Sequence, residues 1–350
     1  MFVSDETYSD LRSTLLNISG SVPLHERFRA LFTLKSLKSD RAIEIISEGF
    51  KDESALLKHE LAYCLGQIES ESALPVLESV LGDKNEDPMV RHEAAEALGA
   101  ISAESALPIL REYLNDEERA VRETCEIAID KIIWDHSEEG KAYHAKLEKD
   151  KEEEVPITYT SIDPAPPSSD KTKATKGSSG LLSGRPNPTG ISPSDVPALR
   201  ATLLDTKLPL FERYRAMFAL RNIGTAAAVD ALADGLKDDS ALFKHEIAFV
   251  FGQLLSPHSV PALLRVLQDG SEQEMVRHEA AEALGGIATP EVLPHLKEWM
   301  SRTDAPRVVR ESCMVALDMW EYENSDQFQY ADGLQKSNTN NVDQAVSAAA

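Results

Sequence analysis

MVRHEAAEALG at 89–99 returns without a change at 275–285. SALLKHELAYCLGQ at 54–67 returns as SALFKHEIAFVFGQ at 240–253, with most changes apolar for apolar, and VPLHERFRALFTL at 22–34 matches LPLFERYRAMFAL at 208–220. These pairs share one offset of 186 residues, which becomes 188 at Val121-Arg122-Glu123 against Val309-Arg310-Glu311. The chain is therefore an internal duplication, and self-similarity of this kind specifies architecture before local propensity is weighed.

A shorter period runs inside each half. His25-Glu26, His59-Glu60, His92-Glu93 and Arg122-Glu123 follow one another at 34, 33 and 30 residues, and each period reads as two helices. In the third, a helix over 73–81 and a turn over 82–87 precede Pro88, which opens the second helix where its missing donor costs least. Val90, Ala94, Ala97/Leu98 and Ile101 then give one buried face at helical spacing. Four such pairs in each half, stacked on their neighbours, predict an all-α solenoid of the HEAT type, its two halves facing each other across a shared site. The halves are expected at 1–135 and 196–322. Between them, 136–195 is charged and then Pro-, Ser- and Gly-rich, the composition of a flexible linker, and 323–350 reads as a polar tail. A coil of about 60 residues spans roughly 40–45 Å, enough to let the halves face each other.

Composition bounds the function. The 350 residues are 42% hydrophobic and 6% aromatic, which suits helices cored by small aliphatic residues. No stretch approaches the roughly 20 apolar residues of a membrane span, and MFVSDETYSD lacks the basic and apolar regions of a secretory signal. Cys64, Cys125 and Cys313 lie in helical patterns and cannot all pair, so a reducing compartment, cytoplasmic or nuclear, is expected. A net charge of −23 disfavours nucleic acid and favours a basic protein partner, unless the charge only serves solubility.

Four of the nine histidines occupy duplicated positions beside a carboxylate: His59-Glu60, His92-Glu93, His245-Glu246 and His278-Glu279. His92 stands about 200° around the helix from both Val90 and Ala94, so it is expected on the free face of its helix rather than in the stripe. His59 has the same relation to Leu57 and Leu61. Neighbouring helices lie roughly 8–10 Å apart, close enough for His59 and His92 to converge on one ion with Glu93 or Glu60. His245, His278, Glu279 and Glu246 repeat the arrangement. Two histidines with a carboxylate favour non-haem iron, with manganese and zinc as alternatives.

A glycine follows each of these histidines by seven residues: Gly66, Gly99, Gly252 and Gly285. Repeats without the duplicated pair carry Phe32, Phe218, Ile129 and Leu317 instead. Glycine inside a helix costs up to about 1 kcal/mol relative to alanine, so the placement needs a cause. Room for a metal-bound ligand or substrate is one reading, and close helix packing is the other. His25-Glu26, whose duplicate is Phe211-Glu212, reads as structural. Arg122-Glu123 and Arg310-Glu311 read as solvated or salt-bridged faces.

Over residues 8–134 and 196–320, KHELAYCLGQ, RHEAAEALG, KHEIAFVFGQ and RHEAAEALGG resemble the deoxyhypusine hydroxylase family, HEAT-repeat di-iron monooxygenases marked by four His-Glu motifs in two symmetric halves. The resemblance implies two irons, loaded as Fe(2+), that activate O2 with electrons from an external reductant. It implies as substrate the deoxyhypusine side chain on one lysine of a eukaryotic translation factor of the initiation factor 5A type, hydroxylated to complete hypusine. It also implies His59, His92 and Glu93 on one iron and His245, His278 and Glu279 on the other, with Glu60 and Glu246 holding the cationic substrate or adding to the ligands. No catalytic residue beyond the metal centre is expected. The linker and tail lie outside the shared pattern, and there is neither a Gly-rich phosphate loop nor a Gly-x-Ser-x-Gly elbow. Two further readings are a non-catalytic acidic scaffold for a basic protein and a zinc-dependent hydrolase using a metal-bound water.

Overall fold

The computed structural model of the chain describes residues 3–152, 159, 161–169 and 191–325. Within them are seventeen α-helices, short 3-10 turns and no strand. The first half pairs α1 (Asp5–Leu15) with α2 (Leu24–Leu37), α3 (Asp40–Glu48) with α4 (Ala55–Ile68), α5 (Leu74–Gly82) with α6 (Pro88–Ile101), and α7 (Leu107–Glu112) with α8 (Arg119–Asp135). Helix α9 (Glu138–Glu152) follows. The second half pairs α10 (Val196–Leu204) with α11 (Leu210–Ile223), α12 (Ala226–Asp234) with α13 (Ala241–Leu254), α14 (Val260–Gln268) with α15 (Glu274–Ile287), and α16 (Leu293–Ser301) with α17 (Arg307–Glu323). This is the all-α solenoid of four helix pairs per half that the period predicts.

Duplicated arginines tie each pair together. Arg27, Arg91, Arg213 and Arg277 are buried, and each Nε donates to the carbonyl of a leucine at or near the end of the preceding helix, Leu15, Leu81, Leu203 and Leu267. Three of them also pair with an aspartate of the following repeat, Asp52, Asp116 and Asp238. A planar guanidinium can satisfy a helix's last carbonyls and a carboxylate at once, which a lysine cannot do in the same geometry.

The second helices stack in series, α4 on α6 on α8 and α13 on α15 on α17, and the two series meet along α2–α17 and α8–α11. The stripe Val90, Ala94, Ala97 and Leu98 is buried as its spacing predicts, but so is His92 on the opposite face. The halves close on each other, so the face that is free in a single solenoid becomes the interior of this one. Ser54 and Ser240 join the halves through Glu311 and Glu123, and Arg29 joins them through Asp318, which also lies 3.9 Å from His25. His25 thus has a structural place at the seam. Glu123 and Glu311 do pair with Arg119 and Arg307 on their own helices, yet they are fastenings between halves as well as surface ion pairs.

Within 136–195, the described residues include one further helix and a buried irregular segment. Helix α9 packs on α8, with the Trp134 and Tyr143 rings 5.4 Å apart and His144 bonded to Asp135. Pro164 to Pro167 are buried and Ala165 belongs to the core. Pro164, Pro166 and Pro167 have no N–H, so this buried irregular backbone carries a single donor, that of Ala165, over four residues. The run 170–190 and the tail beyond 325 lie outside the described residues. No helix among the described residues is long and apolar enough to cross a membrane.

Candidate metal centre

Helices α4, α6, α13 and α15 each deliver one His-Glu pair to the space between the halves. A capping serine begins α4 and α13, Ser54 accepting from Leu57 N and Ser240 from Phe243 N, both at 3.1 Å. Asp87 caps α6 ahead of Pro88. Helix starts fixed in this way set where the first inward turn of each helix points its side chains.

The four imidazoles form one cluster. Ring centroids lie 5.4 Å apart for His59–His92, 5.2 Å for His245–His278, 5.1 Å for His59–His278 and 5.4 Å for His92–His245. All four residues are at most 4% exposed. Nδ1 of His59 lies 3.4 Å from Glu60 Oε1, and its Nε2 lies 3.2 Å from Glu93 Oε2 without an aligned hydrogen bond. His245 Nε2 stands in the same way 3.4 Å from Glu279 Oε2. Seven imidazole nitrogens, Nε2 of His59 and both of His92, His245 and His278, make no hydrogen bond among the described residues.

Buried polar atoms without partners are rare because each costs about 1–3 kcal/mol. Seven in one cluster, on four rings that can each offer one lone pair when neutral and that stand beside carboxylates, fit a group that accepts electron pairs. His59, His92 and Glu93 place ligand atoms within 4.8 Å of one another, as do His59, His245 and His278. The first set expected from the sequence is therefore assembled. In the second, His245 and His278 converge with His59 from the opposite half, and Glu279 stands beside His245. Glu60 and Glu246 are also buried, and Glu246 Oε1 has no hydrogen bond among the described residues.

Electrostatics sort these groups. Burial opposes a charge on His59, but Glu93 and Glu60 outweigh it and hold the imidazole well above its ordinary 6.5. Burial and the neighbouring imidazoles push His92 and His278 well below that value, the neutral form that ligates metal. Burial, followed by Glu96 and Asp163, raises Glu246 well above the ordinary carboxylate range.

Sequence reasoning missed Glu96 and Glu282. They are duplicates inside the unchanged repeat, one turn beyond His92 and His278, and their spacing could have shown this. Glu282 Oε1 lies 3.6 Å from His278 Nδ1, and burial together with neighbouring carboxylates raises both groups strongly. A strap over 161–168 was missed as well. The Gln67 amide brackets Ile162, accepting from its N at 2.7 Å and donating to its carbonyl at 3.2 Å. Its duplicate Gln253 donates to Ser161 Oγ at 2.7 Å. Arg221 grips Asp163 through two bonds of 2.8 and 2.6 Å, and Ser168 N donates to Arg215 O. A composition-based reading could not see this, because the partners are side chains on helices far away in sequence.

The glycines have the other cause considered. A Cβ on Gly66 would lie 2.8 Å from Ala97 Cα, on Gly99 2.9 Å from Ala128 Cβ, and on Gly285 2.6 Å from Ala316 Cα. They are sites of close approach between consecutive second helices, and the space they leave is filled by the next helix, not by a ligand.

Residues 44–130 and 229–318 match the family of HEAT repeats, and 212–238 matches the PBS lyase HEAT-like repeat. The chain is 65% identical over 339 residues to deoxyhypusine hydroxylase of Lentinula edodes, covering 97% of this chain and 99% of that protein. It is 48% identical over 334 residues to deoxyhypusine hydroxylase of Rattus norvegicus, covering 95% and 98%. The solved structure of human deoxyhypusine hydroxylase in complex with glycerol aligns with a TM-score of 0.75 at 45% identity, covering 91% of this chain and 96% of that one. With relatives this similar along nearly their whole length, the chain belongs to the deoxyhypusine hydroxylase family.

Proposed function

We propose that this protein hydroxylates the deoxyhypusine side chain of a translation factor of the initiation factor 5A type, in the cytoplasm or nucleus, using two irons, O2 and an external reductant. The observation that carries this reading is the closed cluster of four imidazoles with seven unpartnered nitrogens beside buried carboxylates. One atom of O2 enters a C–H bond of the substrate, and the other leaves as water with two electrons from the reductant and two protons. Bound iron supplies the redox chemistry that ordinary side chains lack for an unactivated C–H bond.

The chain's own residues do the rest. His59, His92 and Glu93, with His245, His278 and Glu279, are the ligand sets. His92 and His278 enter them already neutral, whereas His59 must give up a proton. Glu60 and Glu246 are buried beside the same cluster, and an arriving ammonium would favour the ionised form of Glu246 against its burial, giving charge-assisted bonds that suit a substrate with amines along an alkyl chain. Burial of the whole cluster excludes bulk water and keeps an oxidising reaction from idle turnover.

The test is elemental analysis of the purified chain together with reaction of a deoxyhypusine-bearing substrate under O2. Two irons per chain and a mass gain of one oxygen atom are expected. Zinc alone with hydrolysis, or no metal and no reaction, refutes the reading.

A further inference from the structure

The duplication builds two equivalent seams between the halves, and the two are not alike. Behind the α2–α17 seam, a cavity of about 290 Å³ lies among Phe28, Phe32, Lys35, Glu282, Val315 and Met319. Across the repeat, Glu282, Val315 and Met319 correspond to Glu96, Ile127 and Lys131 on the α8–α11 side. There they line a cleft of only about 10 Å³, and Pro164 of the strap sits in it. Arg221, the counterpart of Lys35, is held by Asp163 of the strap. Lys35 lies instead over the Phe32 ring at 4.7 Å. A 10 Å³ space holds about one water, whereas 290 Å³ is near the lower end of ligand pockets.

We propose that the cavity between α2 and α17 is the route by which the substrate side chain reaches the histidine cluster, and that the strap over 161–168 closes the equivalent route through the other seam. This route presupposes the hydroxylase reading above. The inner wall of the cavity is Glu282, whose Oε1 is buried, has no hydrogen bond among the described residues and lies 3.6 Å from His278 Nδ1. Glu282 thus borders both the cavity and the cluster. Phe28, Phe32, Val315 and Met319 give it apolar walls, and Glu282 gives it an acidic end. Methylenes between amines need those two surfaces in that order, with the chain against apolar side chains and the ammonium on a carboxylate. On the strapped side the same acidic end is present in Glu96, but the strap fills the way to it.

The test uses two exposed or half-exposed positions related by the repeat. Ser36 is exposed, lines the cavity and donates to the Phe32 carbonyl within its own helix. Its counterpart in the other half is Asn222. Ser36→Trp and Asn222→Trp are compared with wild type for binding of a deoxyhypusine-bearing peptide by fluorescence anisotropy, for kcat/KM, and for iron content and helical circular dichroism. Ser36→Trp is expected to weaken peptide binding and kcat/KM by about tenfold or more with iron and helicity unchanged, and Asn222→Trp to stay within about twofold of wild type. Met319→Trp, narrowing the same mouth from α17, is expected to repeat the Ser36→Trp result and replaces it if Ser36→Trp loses helicity. Peptide binding unaffected by both mouth variants, or lost equally in Asn222→Trp, overturns the route while wild-type hydroxylation leaves the functional reading standing. A wild-type chain that neither binds nor hydroxylates the peptide overturns that reading and the route with it.

Discussion

Ser54 Oγ donates a hydrogen bond of 2.7 Å to Glu311 Oε2 in the opposite half, and the same oxygen accepts from Leu57 N at the start of α4. Ser240 repeats this with Glu123 at 2.6 Å and Phe243 N at 3.1 Å. One hydroxyl therefore begins a histidine-bearing helix and fastens it to the facing half, so the position of His59 or His245 and the closure of the cavity are set by the same atom.

Removing both hydroxyls should loosen the closed state before it unfolds a helix. A lost N-cap costs about 1 kcal/mol and the lost bond to a half-buried carboxylate adds up to a comparable amount, so Ser54→Ala with Ser240→Ala should cost about 2–4 kcal/mol together. A lower melting temperature and faster loss of iron to a chelator are expected, with helical circular dichroism at low temperature unchanged. Iron release at the wild-type rate would show that the two hydrogen bonds do not govern closure.

The ligand roles can be separated from the substrate roles. Any one of His59→Ala, His92→Ala, His245→Ala or His278→Ala should lower iron content and abolish hydroxylation, because each imidazole belongs to one closed cluster. Glu60→Ala and Glu246→Ala should weaken substrate binding more than iron binding. Full activity in two of the histidine variants contradicts the assignment, and equal loss of iron from the two glutamate variants makes them ligands.

What could be read from the sequence was whatever repeats. The offset of 186 residues gave the two halves, the HEAT pairs and the duplicated histidines, because each repeat can bury its face only against another like it. His92 was legible as lying off its own repeat's stripe, but not as fully buried, since burial comes from the facing half and no local period encodes that. Asp163 was invisible for a related reason. It lies in a segment with no period, and its partner Arg221 is 58 residues away on α11.

Metal loading should matter more as pH rises. His59 has a raised pKa, so the stability its proton gives the metal-free chain is present below the ordinary value of 6.5 and lost as pH climbs through the folded value. Glu96, Glu246 and Glu282 are raised too and act in the same sense, present below the ordinary 4.5 and lost on ionisation. His92 and His278 are depressed, so their contribution is lost only as pH falls below 6.5. Above that value the metal-free chain thus loses stability, while bound iron takes the place of these protons. The melting-temperature gap between iron-loaded and metal-free protein should widen from about pH 6.5 to about pH 8.5. A constant or shrinking gap contradicts the sign.

Two glycines with the same sequence role should respond oppositely to alanine. At Gly285 an added Cβ would lie 2.6 Å from both Cα and O of Ala316, backbone that cannot step aside without moving α17. At Gly252 the nearest atoms, Cα and Cβ of Ala283, are 3.4 Å away, near ordinary contact. Alanine gains up to about 1 kcal/mol of helix propensity at either site. Overpacking at Gly285 exceeds that gain, so Gly285→Ala should destabilise by about 1–3 kcal/mol, whereas Gly252→Ala should be neutral or slightly stabilising. Denaturant unfolding of the two variants measures this directly. If the glycines kept space for a ligand, both variants would instead keep wild-type stability and lose substrate or iron. Close packing predicts instead that Gly252→Ala retains iron and turnover as well as stability.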